Sequence, residues 1–136
     1  MTLSMVAFSQ DNFDEKLVGK HLLALQWISW DYFGDANITA TDTKNTYKIE
    51  GLQKSKDNTD YLKIEGTLTA LSEDHLVFNG LIETSVSHLN EGTPCPREGE
   101  YHFKARSGRK YWRLQELNNP CDNVADYVDI FFSKKD

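Results

Sequence analysis

Alternation of apolar and polar residues with a period of two runs through most of this chain and constrains its fold more than any other feature. In one stretch the apolar residues take every second position and charged residues lie between them: Leu62, Lys63, Ile64, Glu65. Successive side chains of a β-strand point to opposite faces, so this pattern predicts strands buried on one side. Helical periodicity is almost absent. The sequence therefore predicts an all-β domain.

Turn signals divide the chain into about eight strands. A long apolar run extends from Gly19 to about Phe33, and seven further strands are predicted over residues 36–41, 46–53, 60–70, 75–87, 100–106, 109–116 and 126–132. Most of the connections are short and follow chain order, which is typical of an antiparallel up-and-down meander. Because closure of eight strands into a barrel removes both exposed edges, a barrel is predicted, with a β-sandwich as the alternative.

The chain has 136 residues, a length that suits a single domain. We expect a β-barrel domain over residues 17–133, preceded by an N-terminal tail at 1–16. The first part of the tail is weakly apolar, and Ala7-Phe8-Ser9 has the small-x-small form of a signal-peptidase site. No basic segment precedes it. The tail is therefore interpreted either as the remnant of an export signal or as a segment without that role.

The two cysteines, Cys95 and Cys121, both lie beside prolines, which predicts that both are loop residues. Their spacing fits no zinc motif, and two thiols do not complete a four-ligand site. Paired thiols in two loops of a small domain favour a disulfide, and hence a secreted or periplasmic protein. The alternative is a cytoplasmic protein with two free buried thiols.

Charge and motifs exclude several classes of function. The net charge is −6, and no stripe of Lys and Arg compensates, so nucleic acid is not a predicted partner. The densest basic segment, 106–113, centres on a Ser-Gly turn and is interpreted as a solvated hairpin tip. No apolar run reaches the roughly 18–20 residues of a membrane helix, so no transmembrane segment is predicted. Without a catalytic, metal-binding or phosphate-loop motif, neither an enzyme nor a cofactor is expected.

A glycine-led first strand containing a tryptophan, here Gly19 and Trp27, followed by seven meandering strands, resembles the lipocalin-like (calycin) architecture. The Gly-x-Trp motif of those families is itself absent at Gly19. The resemblance implies a barrel that encloses a small, partly apolar ligand. The segments Cys95–Gly99 and Tyr111–Gln115 are also similar to parts of uncharacterised secreted bacterial proteins, a likeness that implies no function.

Candidate ligand-binding residues follow from this barrel hypothesis. An internal cavity is expected to be lined by apolar and aromatic side chains: Trp27, Phe78, Ile82 and Tyr111. On the strand at 109–116, Tyr111, Arg113 and Gln115 share one face. If that face points into the barrel, Arg113 offers a cationic fork for a carboxylate or similar anionic group. Otherwise Arg113 caps the barrel over Trp27 or Trp30 by a cation–π contact, or is simply solvated.

Two binding functions remain open at this stage. A carrier of a small apolar or anionic ligand predicts an internal cavity of several hundred Å³. A protein-binding module, such as an inhibitor or immunity factor, would use the two proline-bearing loops pinned by the disulfide, and it predicts exposed aromatic residues near that bond. An enzyme, which is not expected, would need convergent ionisable groups with perturbed pKa values in one cleft.

Overall fold

The computed structural model describes residues 13–134 and confirms an all-β fold. Eight antiparallel strands pair in chain order, and β8 closes against β1, so the predicted up-and-down barrel forms and the β-sandwich does not. The strands are β1 Gly19–Leu25, β2 Gly34–Ala40, β3 Thr46–Lys54, β4 Tyr61–Ser72, β5 His75–Ser85, β6 Cys95–Lys104, β7 Tyr111–Leu114 and β8 Val128–Lys134. The predicted cleavage site at Ala7-Phe8-Ser9 lies outside the described residues.

The two ends of the barrel carry connections of different length. At one end, the turn end, three connections of two to six residues lie at 41–45, 73–74 and 105–110. At the other, the loop end, four connections of six to thirteen residues lie at 26–33, 55–60, 86–94 and 115–127. The chain enters at the turn end through a helical turn at 13–17, whose Leu17 is buried in the core. No helix within residues 13–134 is long and apolar enough to span a membrane.

Side chains from the inward face of every strand fill the barrel. The largest of them are at most 1% exposed: Trp112, Tyr47, Phe78 and Phe103. They join the aliphatic inward residues in one continuous core cluster, which also contains Ile82. An eight-stranded barrel is just wide enough for side chains to fill its interior. Phe78 and Ile82, expected to line a cavity, therefore pack against other core residues.

A row of three glycines crosses the barrel wall where neighbouring strands approach closely. Gly66, Gly80 and Gly99 are paired with one another across β4, β5 and β6. Gly80 has a φ of 156°, and a Cβ built there would lie 2.3 Å from the carbonyl oxygen of Glu65. Only glycine fits such a close approach of neighbouring backbones. Glycine at position 80 is therefore required by the close approach of β4 and β5.

The first strand is shorter than predicted, because β1 ends at Leu25 and does not continue to Phe33. The Leu25 carbonyl accepts hydrogen bonds from the amides of Ile28 and Ser29, at 3.0 and 3.3 Å. Its own amide donates to Gln53 Oε1 at 2.8 Å. Since both polar groups of Leu25 are satisfied by a turn and a side chain, the ladder to β2, whose last pair is Leu23 with Gly34, does not continue past it. Trp27 and Trp30, expected on the strand, consequently lie in the 26–33 connection.

The predicted disulfide joins Cys95 to Cys121, with a Cα–Cα distance of 6.1 Å. The prediction that both cysteines are loop residues is wrong for Cys95, which is the first residue of β6. Pro96 is tolerated next to it because β7 pairs only with the last two residues of β6, leaving the outer edge of this segment without a ladder to interrupt. The bond ties the start of β6 to the 115–127 connection.

Candidate functional site

The six residues predicted to bind a ligand occupy three separate places. Phe78 and Ile82 lie inside the barrel, and Trp27 lies at the loop end. Tyr111, Arg113 and Gln115 share one face of the β7 segment, as predicted. Trp112 and Leu114, both 0% exposed, take the inward positions, so this face points outward. The structure therefore brings together only Tyr111, Arg113 and Gln115.

These three residues line a cleft of about 260 Å³ on the outer wall of the barrel, which we call the β7 cleft. Its lining residues are Lys104, Arg106, Arg109, Tyr111, Arg113, Leu114, Gln115, Leu117 and Tyr127. Four of them are cationic, and none of these described residues is acidic. In a chain with a net charge of −6, this cleft gathers more than a quarter of the 15 Lys and Arg residues. It is a local positive site on an acidic protein.

Arg113 forms a rigid part of the cleft wall. Its Nε and Nη2 donate to the two carboxylate oxygens of Asp129 at 2.7 and 2.8 Å, a bidentate pair that raises the pKa of the guanidinium. The guanidinium carbon lies 5.0 Å from the ring centre of Tyr111 and 4.4 Å from that of Tyr127. The cation–π contact that the sequence suggested with a tryptophan is thus made with two tyrosines.

The other three cations of the cleft keep their charge available. Lys104 is the cross-strand neighbour of Arg113, and Arg109 Nη1 donates to the Tyr111 hydroxyl. Among residues 13–134, no carboxylate lies within 4.0 Å of the charged nitrogens of Lys104, Arg106 or Arg109. A ligand with an anionic group would therefore meet cations that are not already neutralised by an ion pair.

Sequence reasoning missed most of the cleft. The pattern of the basic segment at 106–113 indicates a solvated hairpin tip, whereas in the structure this segment forms one wall of a concavity. Leu117 and Tyr127 come from the 115–127 connection, which folds back beside β7. Lys104 belongs to the neighbouring strand. The hairpin predicted around the Ser-Gly turn places Lys104 near Arg113, but no local pattern shows that the 115–127 connection brings Leu117 and Tyr127 beside them.

A second polar cluster is buried at the loop end. Asp126, 0% exposed, accepts hydrogen bonds from Trp27 Nε1 at 3.0 Å and from Asn119 Nδ2 at 3.1 Å. Burial raises the pKa of the Asp126 carboxyl. Arg97 is 5% exposed; its Nη1 lies 3.9 Å from Asp126, and its Nη2 donates to the Glu116 carbonyl at 2.7 Å. These contacts fasten the 26–33 and 115–127 connections to β6, so the cluster acts as a structural anchor.

Comparison with known proteins covers nearly the whole barrel. The model of a family described as the PM1083 family matches residues 6–132. A relative from Pasteurella multocida (strain Pm70), "Uncharacterized protein PM1083", is 45% identical over 119 residues, which is 88% of this chain and 75% of the relative. No solved structure matches significantly. The family match extends from before β1 into β8 and thus includes every element that lines the β7 cleft.

Proposed function

The chain belongs to the PM1083 family, and we propose that it is an exported binding protein, not an enzyme, whose β7 cleft takes a small, partly apolar ligand with an anionic group. The observation that carries this proposal is the charge of the cleft. Four cationic side chains surround about 260 Å³ of space on a protein with a net charge of −6. Concave sites with a few convergent polar groups are where small ligands bind.

The packing of the barrel favours this outer site over an internal one. The lipocalin-like resemblance supports the architecture, but the inward positions are taken by large side chains such as Trp112 and Phe78. A ligand inside the barrel would have to displace them. The outer cleft needs no such rearrangement, so the ligand site expected within the barrel is proposed for the face of β7 that points away from it.

Each part of the cleft has a role in this proposal. Lys104, Arg106 and Arg109 supply charge-assisted hydrogen bonds to the anionic group, each worth about 1.5–3 kcal/mol. Tyr127 and Leu117 offer apolar surface to the body of the ligand. Asp129 holds Arg113 in one position and accepts hydrogen bonds from two of its nitrogens. We therefore assign Arg113 to shaping the cleft wall and to its electrostatic potential, and not to direct contact with the anionic group. Such a preorganised wall lowers the entropic cost of binding.

Export is proposed on the basis of the disulfide, since such bonds persist in oxidising compartments. Mass spectrometry of protein taken from its own host and alkylated without reductant should find Cys95 and Cys121 unmodified and linked. Recovery of both cysteines in alkylated form would contradict the proposal that the protein works outside the cytoplasm.

The ligand site is tested with a panel of small carboxylates and phosphate monoesters, aliphatic and aromatic, by thermal shift and calorimetry. A Lys104→Ala/Arg109→Ala variant should bind any hit about tenfold or more weakly, because it loses two charge-assisted contacts. Lys48→Ala/Lys63→Ala, which removes two exposed lysines from β3 and β4, is the matched control and should bind like the native protein. A hit bound equally by all three proteins would place the site elsewhere and contradict the proposal.

A further inference from the structure

Two aromatic side chains at the loop end are exposed to solvent. Trp30 is 45% exposed and Tyr32 is 50% exposed, and both lie in the 26–33 connection. The barrel interior is already filled by other side chains, so these two aromatic rings remain at the surface, where a partner can reach them. Tryptophan and tyrosine are the residue types that most often dominate the binding energy of protein interfaces.

The backbone that carries these aromatic residues is held in place. The amides of Asp31 and Tyr32 donate to Ser29 Oγ at 2.8 and 2.9 Å. The buried Gln53 side chain donates to the carbonyls of Ser29 and Tyr32 at 3.1 and 3.0 Å. Lys56 Nζ lies 4.5 Å from the ring centre of Tyr32 and donates to its hydroxyl at 2.6 Å. A partner would therefore meet a preorganised surface and would not have to order it.

The neighbouring connections are fixed in the same way. Asp60 Oδ1 accepts from the amide of Ser87 at 3.0 Å and from its hydroxyl at 2.6 Å, which joins the 55–60 connection to 86–94. The amide of Asn90 donates to Asp122 Oδ2 at 2.9 Å, which joins 86–94 to 115–127. Together with the disulfide, these bonds make the four connections one surface.

The exposed charges of this surface are mostly negative. The exposed charged residues in the four connections are Asp31, Lys56, Asp57, Glu91 and Asp122, four acidic and one basic. The single lysine is already engaged with Tyr32. An acidic surface repels nucleic acid and anionic lipid, whereas it attracts a basic protein surface and speeds its encounter.

We propose that the loop end is the docking surface for a partner protein that presents a basic patch around an apolar pocket. Trp30 and Tyr32 fill the pocket, and the acidic residues around them face the basic patch. Neither aromatic residue lines the β7 cleft, although the 115–127 connection supplies Leu117 and Tyr127 to it, so the variants that test the two sites change different residues. The protein-binding module that the sequence left open thus receives a location and a partner chemistry.

The probe is a displayed library of random twelve-residue peptides, selected on the native protein and then measured individually by calorimetry. The expected binders combine Lys or Arg with an apolar anchor. They should bind Trp30→Ala/Tyr32→Ala about tenfold or more weakly and Asp31→Asn/Asp57→Asn about threefold or more weakly, the latter difference shrinking at high salt. Leu71→Ala, an exposed residue at the turn end, is the matched control and should leave binding unchanged. Melting temperatures verify that each variant folds.

Three outcomes would overturn the proposal. The first is a selection whose binders are acidic, or bind the Trp30→Ala/Tyr32→Ala variant as tightly as the native protein. The second is self-association of the native protein that this variant abolishes, which would make a second copy of the chain the occupant. The third is binding to neutral phosphatidylcholine vesicles that depends on Trp30, which would assign the surface to membranes.

Discussion

The two ends of the barrel are built by different physical means. The turn end is closed by short connections and by a helical turn, which is held by Leu17 in the core and by the buried His21, whose Nε2 lies 2.7 Å from the Leu17 carbonyl oxygen. The loop end carries long connections, and each is fastened by a buried polar side chain: Gln53, Asp60, Arg97 or Asp126.

This difference concerns how each end of the barrel fixes the position of its connecting segments. The short connections of the turn end follow directly from the strand pairing and leave little chain to be positioned by further contacts. Buried polar groups cost desolvation, but their hydrogen bonds are directional and set the positions of the segments they hold. The loop end therefore has long connections whose positions are defined, as the proposed docking surface requires. Three predictions test this contrast, beginning with the largest effect.

Removal of the Asp126 carboxylate should cause the largest loss. Asp126→Ala leaves Arg97 buried without its counter-charge, and such changes cost about 3–5 kcal/mol in the free energy of unfolding. Urea denaturation measures the loss. The double variant Arg97→Met/Asp126→Leu removes both charges and should recover most of it. A single-variant loss below about 1 kcal/mol would mean that the loop end does not depend on this anchor.

Loss of the disulfide should cost somewhat less and act locally. The bond closes a sequence separation of 26 residues, for which the chain-entropy estimate is roughly 3–4 kcal/mol. In Cys95→Ser/Cys121→Ser, amide hydrogen exchange should accelerate most in the 86–94 and 115–127 connections. Amide exchange at the turn end should accelerate only by the amount that follows from the lower free energy of global unfolding. Equal acceleration at both ends would contradict the contrast between them.

The smallest effect concerns pH. Burial raises the folded-state pKa of Asp126 above the usual value of 3.8, so the folded protein binds this proton more tightly than the unfolded chain. The resulting stabilisation is fully present below about pH 3.8 and is lost as the pH rises through the raised pKa. Asp126→Asn has no such proton. The stability advantage of the native protein over this variant should therefore narrow between about pH 4 and neutrality. A widening difference would show that the Arg97 charge outweighs burial.

Much of the fold could be predicted from local patterns. The alternation around Ile64 and the pair of cysteines each reflect a local steric or chemical requirement, and the strand and the disulfide that they predict are both present in the structure. The end of β1 could not be predicted in this way. It depends on a side chain 28 residues away, since Gln53 takes the amide that a longer strand would have used.

The face that carries Tyr111, Arg113 and Gln115 shows where the sequence stops being sufficient. By itself, the sequence determined that these side chains point to the same side, because the two-residue period of a strand follows from backbone sterics. Only the tertiary structure decided which side that is. Trp112 and Leu114 occupy the core, Trp112 with its ring centre 4.6 Å from that of Phe132, so Arg113 is left outside, where the folded-back Tyr127 meets it. Which face of a strand is buried depends on how its side chains pack with those of all the other strands, so the sequence of one strand does not determine it.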